Sequence, residues 1–129
     1  MNRGDAVAKI LIAEDSPTAA EMLRRTIVPL GHDVVMANDG QNAEALIRKE
    51  KPDLVILDII MPKINGFQLC RSLRADPEFK DLPILVITSM DRESDRYWGM
   101  KQGANEYLVK PVDQKVLVEK IQVYLEDAN

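Results

Sequence analysis

The sequence predicts an α/β fold with one parallel β-sheet, and two patterns carry this prediction. Short apolar runs recur at regular intervals, and each suits one strand: residues 9–13, 34–37, 54–57, 84–87 and 107–109. Segments of helix length lie between these runs, with apolar residues spaced at the helical period. Five strands that alternate with five helices favour a parallel sheet joined by right-handed crossovers.

The strands and helices have recognisable beginnings and ends. Four of the five apolar runs consist largely of β-branched residues and leucine, which is typical of strands covered on both faces. Ser16 and Pro17 are expected to begin the first helix, as an N-cap and a first-turn proline, and apolar positions on one side continue it to Leu30. The last helix is expected to span about residues 113–125. The expected helix stops are Gly31, Lys51 with Pro52, and Gly103.

Length and composition limit the possible functions. A chain of 129 residues has the length of one domain, and with no linker or repeat in it we expect a single domain over residues 1–129 without an effector domain. The net charge of -4 and the lack of a basic stripe argue against a nucleic-acid partner. No signal peptide or membrane-spanning apolar run is recognisable. The single cysteine, Cys70, rules out an internal disulfide and is compatible with a reducing cytoplasm. Because no apolar run is long enough to cross a membrane, we expect a cytoplasmic protein without a membrane partner.

Polar side chains follow four of the predicted strands. Glu14 and Asp15 follow the first strand, Asp58 the third, Thr88 the fourth and Lys110 the fifth. Because ligands of open parallel sheets bind outside the carboxyl ends of the strands, we expect these groups to converge. A single acid after a strand is usually a turn residue or a helix cap, but four suitable strand ends together indicate a site. Carboxylates brought close together favour a cation between them, and Mg²⁺ suits carboxylate, phosphate and water oxygens.

The motifs around these residues extend over most of the chain. They are residues 12–16 (IAEDS), residues 57–62 (LDIIMP), Gly66, residues 87–89 (ITS) and residues 107–111 (YLVKP). In these motifs the chain resembles the CheY-like receiver domains of bacterial two-component response regulators. The resemblance implies a flavodoxin-like (βα)5 doubly wound parallel sheet with strand order 2-1-3-4-5. Residues 95–104 (DRYWGMKQGA) resemble receivers of type IV pilus twitching or phototaxis pathways, which implies a role in motility or taxis.

The resemblance also implies a role for each acid. Asp58 would accept a phosphoryl group from a sensor histidine kinase or a phosphotransfer protein. Glu14 and Asp15 would bind or orient Mg²⁺ together with Asp58, and the backbone carbonyl of Ile60 would be a further ligand. The chain would be a stoichiometric phosphoacceptor and not an enzyme, although it would promote its own phosphotransfer and slow dephosphorylation.

The resemblance also implies which residues respond to the phosphoryl group: Thr88, Lys110 and Tyr107. Thr88 would hydrogen-bond a phosphoryl oxygen, and Lys110 would pair with the acyl phosphate from a cis bond to Pro111. Tyr107 matches the aromatic side chain that turns inward when the threonine moves toward the phosphate. The surface formed by the fourth helix, fifth strand and fifth helix would then bind a downstream protein.

Particular residues of the fourth helix are expected to serve that surface. Arg96 and Met100, one turn apart, are expected to border the moving Tyr107 ring and to form part of the docking patch. Tyr97 and Trp98 are adjacent and therefore point about 100° apart. One of these two is expected to pack on the sheet, and the other could lie at the surface.

Three other functions are compatible with part of the pattern. A phosphatase of the haloacid dehalogenase type also uses a strand-end aspartate and Mg²⁺, but it has an acid two residues later, where this chain has Ile60. A flavodoxin shares the sheet order, but Glu14 and Asp15 would repel the phosphate of its flavin. A receiver that acts only as an unphosphorylated docking module remains a third possibility.

Overall fold

A computed structural model describes residues 7–127 of the chain, and its centre is a five-stranded parallel sheet in the order β2-β1-β3-β4-β5. The strands are β1 (Lys9–Ala13), β2 (Asp33–Ala37), β3 (Leu54–Leu57), β4 (Ile84–Thr88) and β5 (Glu106–Val109). The helices are α1 (Pro17–Ile27), α2 (Gly40–Glu50), α3 (Gly66–Ala75), α4 (Glu93–Gln102) and α5 (Gln114–Asp127). The predicted flavodoxin-like fold is therefore confirmed. None of the helices within residues 7–127 is long and apolar enough to cross a membrane.

The sheet has a hydrophobic core on each face. Side chains alternate along β1, so that Leu11 faces one core while Ile10 and Ile12 face the other. The first core joins the sheet to α2 and α3 and includes Tyr107 of β5. The second core joins the sheet to α1 and α5. Because both faces are covered, the central strands β3 and β4 are buried at every position, as their continuous apolar sequences predicted.

The first helix is shorter than its apolar spacing predicted. Ser16 caps α1, with its hydroxyl accepting a hydrogen bond from the Ala19 N–H at 3.3 Å, but the α-helix ends at Ile27. A 3-10 turn, Val28–Leu30, follows and ends at Gly31, whose φ is +92°. Pro29 lies in that turn and has no N–H to continue the helical hydrogen bonds, which explains the early end. At the other end of the chain, α5 begins one residue later than predicted.

The two adjacent aromatic residues of α4 do not divide between core and surface. Tyr97 is 63% exposed and Trp98 is 47% exposed, so the prediction that one of them packs on the sheet is wrong. The buried position of this helix is Gly99. The helix therefore approaches β5 through a residue without a side chain, and both aromatic rings lie at the surface.

Candidate functional site

Parallel pairing places the predicted polar residues at one edge of the sheet. Ala13 of β1 pairs with Leu57 of β3, so the next residues, Glu14 and Asp58, leave the sheet side by side. The Asp58 N–H donates to the carbonyl oxygen of Ala13 at 3.0 Å, which extends this pairing by one step. Lys110 follows β5, and its N–H donates to the Thr88 carbonyl oxygen at 2.9 Å.

The Lys110 ammonium group bridges two buried carboxylates. Its Nζ atom lies 2.6 Å from Oε1 of Glu14 and 2.8 Å from Oδ2 of Asp58. Glu14 is 4% exposed and Asp58 is 5% exposed, so both acids are largely removed from water. The Lys110–Pro111 peptide bond is cis, as the resemblance implied. Of the predicted site residues, these three are joined directly by ion pairs.

Backbone groups fix the remaining carboxylate oxygens. Oε2 of Glu14 accepts a hydrogen bond from the Ser16 N–H at 3.1 Å, and Oδ1 of Asp58 accepts one from the Ile60 N–H at 3.0 Å. In each carboxylate, one oxygen therefore accepts a hydrogen bond from the Lys110 ammonium. The other oxygen accepts one from a backbone N–H of the loop that follows the acidic residue. The sequence did not reveal these amide contacts, because they depend on the path of the two loops.

Burial and pairing act in opposite directions on the charges of this site. Burial raises the pKa of Glu14, and the hydrogen bonds from Lys110 and the Ser16 N–H only partly offset that effect. Burial disfavours the charged form of Lys110 as well, but its hydrogen bonds to Asp58 and Glu14 prevail and raise its pKa. Lys110 therefore stays protonated at neutral pH. Two carboxylates share one ammonium, which leaves the site in need of further positive charge.

The donors of the site fit a hard cation of the magnesium type. Among residues 7–127, no three acidic, histidine or cysteine side chains converge closely enough to hold a metal by themselves. Mg²⁺ does not require such a cage, since it usually keeps several waters and binds through one or two carboxylates. Glu14 and Asp58 supply buried carboxylates, and the exposed Asp15 follows Glu14 directly in the chain. The carbonyl of Ile60 belongs to the loop that follows Asp58.

A second group of contacts joins Thr88 to Tyr107. Thr88 is fully buried, and its hydroxyl accepts a 3.4 Å hydrogen bond from the Met90 N–H. The Tyr107 hydroxyl donates to the Met90 carbonyl oxygen at 2.8 Å. Tyr107 is 2% exposed, so its ring occupies the inward position. Burial, followed by the nearby Asp95 carboxylate, raises the pKa of the Tyr107 phenol to about 12.

Arg96 borders the Tyr107 ring, whereas Met100 lies nearly half exposed on α4. The Arg96 guanidinium donates to the Tyr107 carbonyl oxygen at 2.8 Å, and its central carbon lies 5.4 Å from the ring centroid. Gly99 faces the ring as well and was not among the residues predicted from the sequence. A glycine inside a helix is unfavourable, so its occurrence within α4 was the available signal.

Comparison with known families identifies the domain. The family model of the response regulator receiver domain matches residues 10–122. The chain belongs to the response regulator receiver family. This receiver domain is 44% identical to protein PilH of Pseudomonas aeruginosa over 119 residues, which are 92% of this chain and 98% of PilH. It is 38% identical to the probable transcriptional regulator ycf27 of Guillardia theta over 94% of this chain, but it spans only 46% of that regulator.

Solved receiver structures have the same fold. A response regulator from Chloroflexus aurantiacus superimposes with a TM-score of 0.89 at 36% identity, covering 94% of this chain and 99% of that one. The chemotaxis response regulator CheY4 of Vibrio cholerae gives 0.85 at 31% identity, over 92% and 99% of the two chains. The receiver domain of the P. aeruginosa sensor histidine kinase PA1611 gives 0.86 at 26% identity, over 94% and 99%, and holds a magnesium ion in its active-site cleft.

Proposed function

We propose that this receiver domain accepts a phosphoryl group on Asp58 from a histidine kinase or a phosphotransfer protein. The observation that carries the proposal is the Lys110 ammonium, held 2.8 Å from the buried Asp58 carboxylate at the carboxyl edge of the sheet. A lysine in that position can form an ion pair with the phosphoryl group once the group is attached to Asp58. Asp58 supplies the nucleophile, and the chain acts once per transfer.

The chemistry uses groups already oriented in the site. A carboxylate oxygen of Asp58 attacks the phosphorus of a phosphohistidine, the P–N bond breaks, and its electron pair stays on the imidazole of the donor. Charge spreads over three equatorial oxygens in the transition state. The Lys110 ammonium stabilises one of these oxygens, and the Thr88 hydroxyl is available as a donor to another.

We also propose that the site works with Mg²⁺. The ion would be held by Glu14, Asp15, Asp58 and the Ile60 carbonyl. When bound, it supplies positive charge that screens the anionic nucleophile from the anionic donor. Two observations support this: two buried carboxylates share a single lysine, and a related receiver holds magnesium in its cleft.

The effect of phosphorylation at Asp58 would be transmitted to the surface through Thr88, Met90 and Tyr107. The product adds about -1.5 to -2 charge at Asp58, which attracts Lys110 and the Thr88 hydroxyl. A rotation of that hydroxyl releases the Met90 N–H, and the Met90 carbonyl holds the Tyr107 hydroxyl. The inward position of the Tyr107 ring, which the structure shows, is worth about 1.5–3 kcal/mol of apolar burial, partly offset by lost rotamer freedom. The surface of α4, β5 and α5, with Arg96 and Met100, would then bind a downstream protein.

We propose that this receiver domain signals in a motility or taxis pathway. The similarity to PilH extends over nearly the whole of both chains. Residues 95–104, which resemble receivers of type IV pilus pathways, lie on α4 and its C-terminal turn. This is the part of the chain that carries the exposed Tyr97, Trp98 and Met100. Specificity for a motility partner would therefore be located on the proposed output surface.

A phosphodonor assay tests the proposal against its alternatives. Wild type and Asp58→Asn are incubated with Mg²⁺ and acetyl phosphate, and intact mass is followed over time, with EDTA as the control. We expect the wild type alone to gain a phosphoryl group, and only in the presence of Mg²⁺. Equal labelling of Asp58→Asn would contradict the proposed acceptor. A wild type that is never labelled would favour the unphosphorylated docking module, whereas rapid turnover of the donor would favour a phosphatase.

A further inference from the structure

The buried ring of Tyr107 is held by contacts from α4 and from the loop before it. Its hydroxyl donates to the Met90 carbonyl oxygen, and its backbone carbonyl accepts from Arg96. The Arg96 guanidinium also lies over the ring. These contacts all belong to the inward position of the ring.

Gly99 provides the space for that position. A Cβ atom built on Gly99 would lie 2.8 Å from Cδ2 and 3.0 Å from Cε2 of the Tyr107 ring. Carbon atoms normally pack about 3.5–4.0 Å apart, so an alanine at this position could not coexist with the ring as it lies. The nearest other group, Cε1 of Phe67, would be at an ordinary contact distance of 3.6 Å.

The backbone gives no other reason for a glycine at position 99. Gly99 lies inside α4 and is not one of the positive-φ glycines, which are Gly31 and Gly103. Alanine is the better residue inside a helix, because glycine loses more conformational freedom on folding. The absent side chain therefore benefits the Tyr107 ring and not the helix.

We propose that Gly99 is a positioning residue that biases the switch side chain Tyr107 toward its inward position. An alanine would push the ring outward or lift α4 away from β5, and either movement breaks the contact with Met90. Residue 99 thus sets the balance between the inward and outward positions of the ring. The inference deepens the proposed function, since it concerns the residue that reads the phosphoryl group.

A double-mutant cycle between positions 99 and 107 tests this inference on the full chain without any ligand. Urea midpoints are measured for wild type, Gly99→Ala, Tyr107→Ala and the double variant. We expect Gly99→Ala to lower the midpoint when Tyr107 is present and to raise it when residue 107 is alanine. The change of sign is the decisive feature, because a glycine without a role toward the ring would give higher stability in both backgrounds.

Gly103→Ala is the matched control on the same helix. Gly103 has a φ of +113° and faces Arg74, so alanine is strained there whichever residue stands at 107. We expect it to lower the midpoint equally in both backgrounds. Equal effects of Gly99→Ala in the two backgrounds would overturn the proposal. If Gly99→Ala alone does not fold, folding of the double variant supports the proposal, and failure of both overturns it.

Nuclear Overhauser contacts give an independent measurement. Wild type should show a contact between the Tyr107 ring protons and protons of Met90, whose carbonyl oxygen accepts the Tyr107 hydroxyl, and Gly99→Ala should lose that contact. Retention of that contact with unchanged intensity would overturn the proposal. Neither experiment uses a phosphodonor, so failure of Asp58 to become phosphorylated would leave both results valid and would refute the proposed function separately.

Discussion

At the scale of single residues, the site combines two buried carboxylates with one ammonium group. The carboxylates of Glu14 and Asp58 both form ion pairs with the Lys110 ammonium, and Asp15, next to Glu14 in the chain, adds a further acid at the same edge. Removing one carboxylate would not leave the lysine unpaired, because the other acid remains. The second negative charge therefore weakens the fold in the absence of a cation, as is common where function requires close like charges.

We accordingly expect Asp58→Asn to stabilise the protein in Mg²⁺-free buffer by about 1 kcal/mol, the order of magnitude for partly screened charges. The asparagine oxygen can still accept the hydrogen bond from the Ile60 N–H. Added Mg²⁺ should stabilise the wild type, since it binds the folded state, and should stabilise Asp58→Asn less. Urea unfolding with and without Mg²⁺ measures both effects. Glu119→Gln, which removes an exposed acid on α5, is the control. A less stable Asp58→Asn in Mg²⁺-free buffer would contradict this electrostatic account.

The sequence allowed the charged residues of the site to be predicted, but not every residue that positions them. Glu14, Asp58 and Lys110 follow strands whose apolar sequences define their ends, so the sheet brings these residues together at one edge. Gly99 acts through the space that it leaves for a ring eight residues later. Such a role depends on the distance between α4 and β5, which periodicity does not reveal.

At the scale of elements, Arg74 joins α3 to the connection between α4 and β5. Its guanidinium donates to the carbonyl oxygens of Gly103 and Phe79, at 3.0 and 2.9 Å, and to Oδ1 of Asn105 at 2.9 Å. Asn105 Oδ1 also accepts from the Ile84 N–H at 2.8 Å, at the start of β4. Burial lowers the pKa of Arg74. One cation thus holds the C-terminal end of α4, opposite the end that adjoins Met90.

Arg74→Met should therefore lower the free energy of unfolding by about 2 kcal/mol, because it leaves several partly buried acceptors without their charged donor. Amide exchange should accelerate around Gly103 and Asn105. Arg71→Met, which removes an exposed arginine from the same helix, should change stability by less than about 0.5 kcal/mol. Equal losses of unfolding free energy in Arg74→Met and Arg71→Met would show that Arg74 does not hold the C-terminal end of α4.

The elements themselves could be predicted to different degrees. The bounds of β1 and β3 agree with the predicted runs, because every residue of these strands except the partly buried Lys9 is apolar and buried. The end of α1 was misjudged because apolar spacing continued through Pro29 into a 3-10 turn. On α4, sequence periodicity was a poor guide because Tyr97, Trp98 and Met100 are all exposed.

At the scale of the whole molecule, the proposed phosphoryl site and the proposed output surface are connected through the contacts of Thr88, Met90 and Tyr107. Beryllofluoride with Mg²⁺, which imitates the phosphoryl group, should draw the Thr88 hydroxyl and Lys110 toward Asp58. We expect amide exchange to change within residues 88–110, because the Met90 N–H loses its hydrogen bond to Thr88 and the loop that holds Tyr107 rearranges. Changes confined to α1 and α2 would contradict the proposed surface and locate the response elsewhere.

Locating the acyl phosphate in the chain decides whether Asp58 carries the phosphoryl group. Borohydride reduces an aspartyl phosphate to homoserine, and peptide mass spectrometry then identifies the residue that has changed. After incubation with Mg²⁺ and acetyl phosphate, we expect homoserine at position 58 and unaltered side chains at Glu14 and Asp15. Reduction at position 15, or a phosphorylated chain with position 58 unchanged, would contradict this expectation.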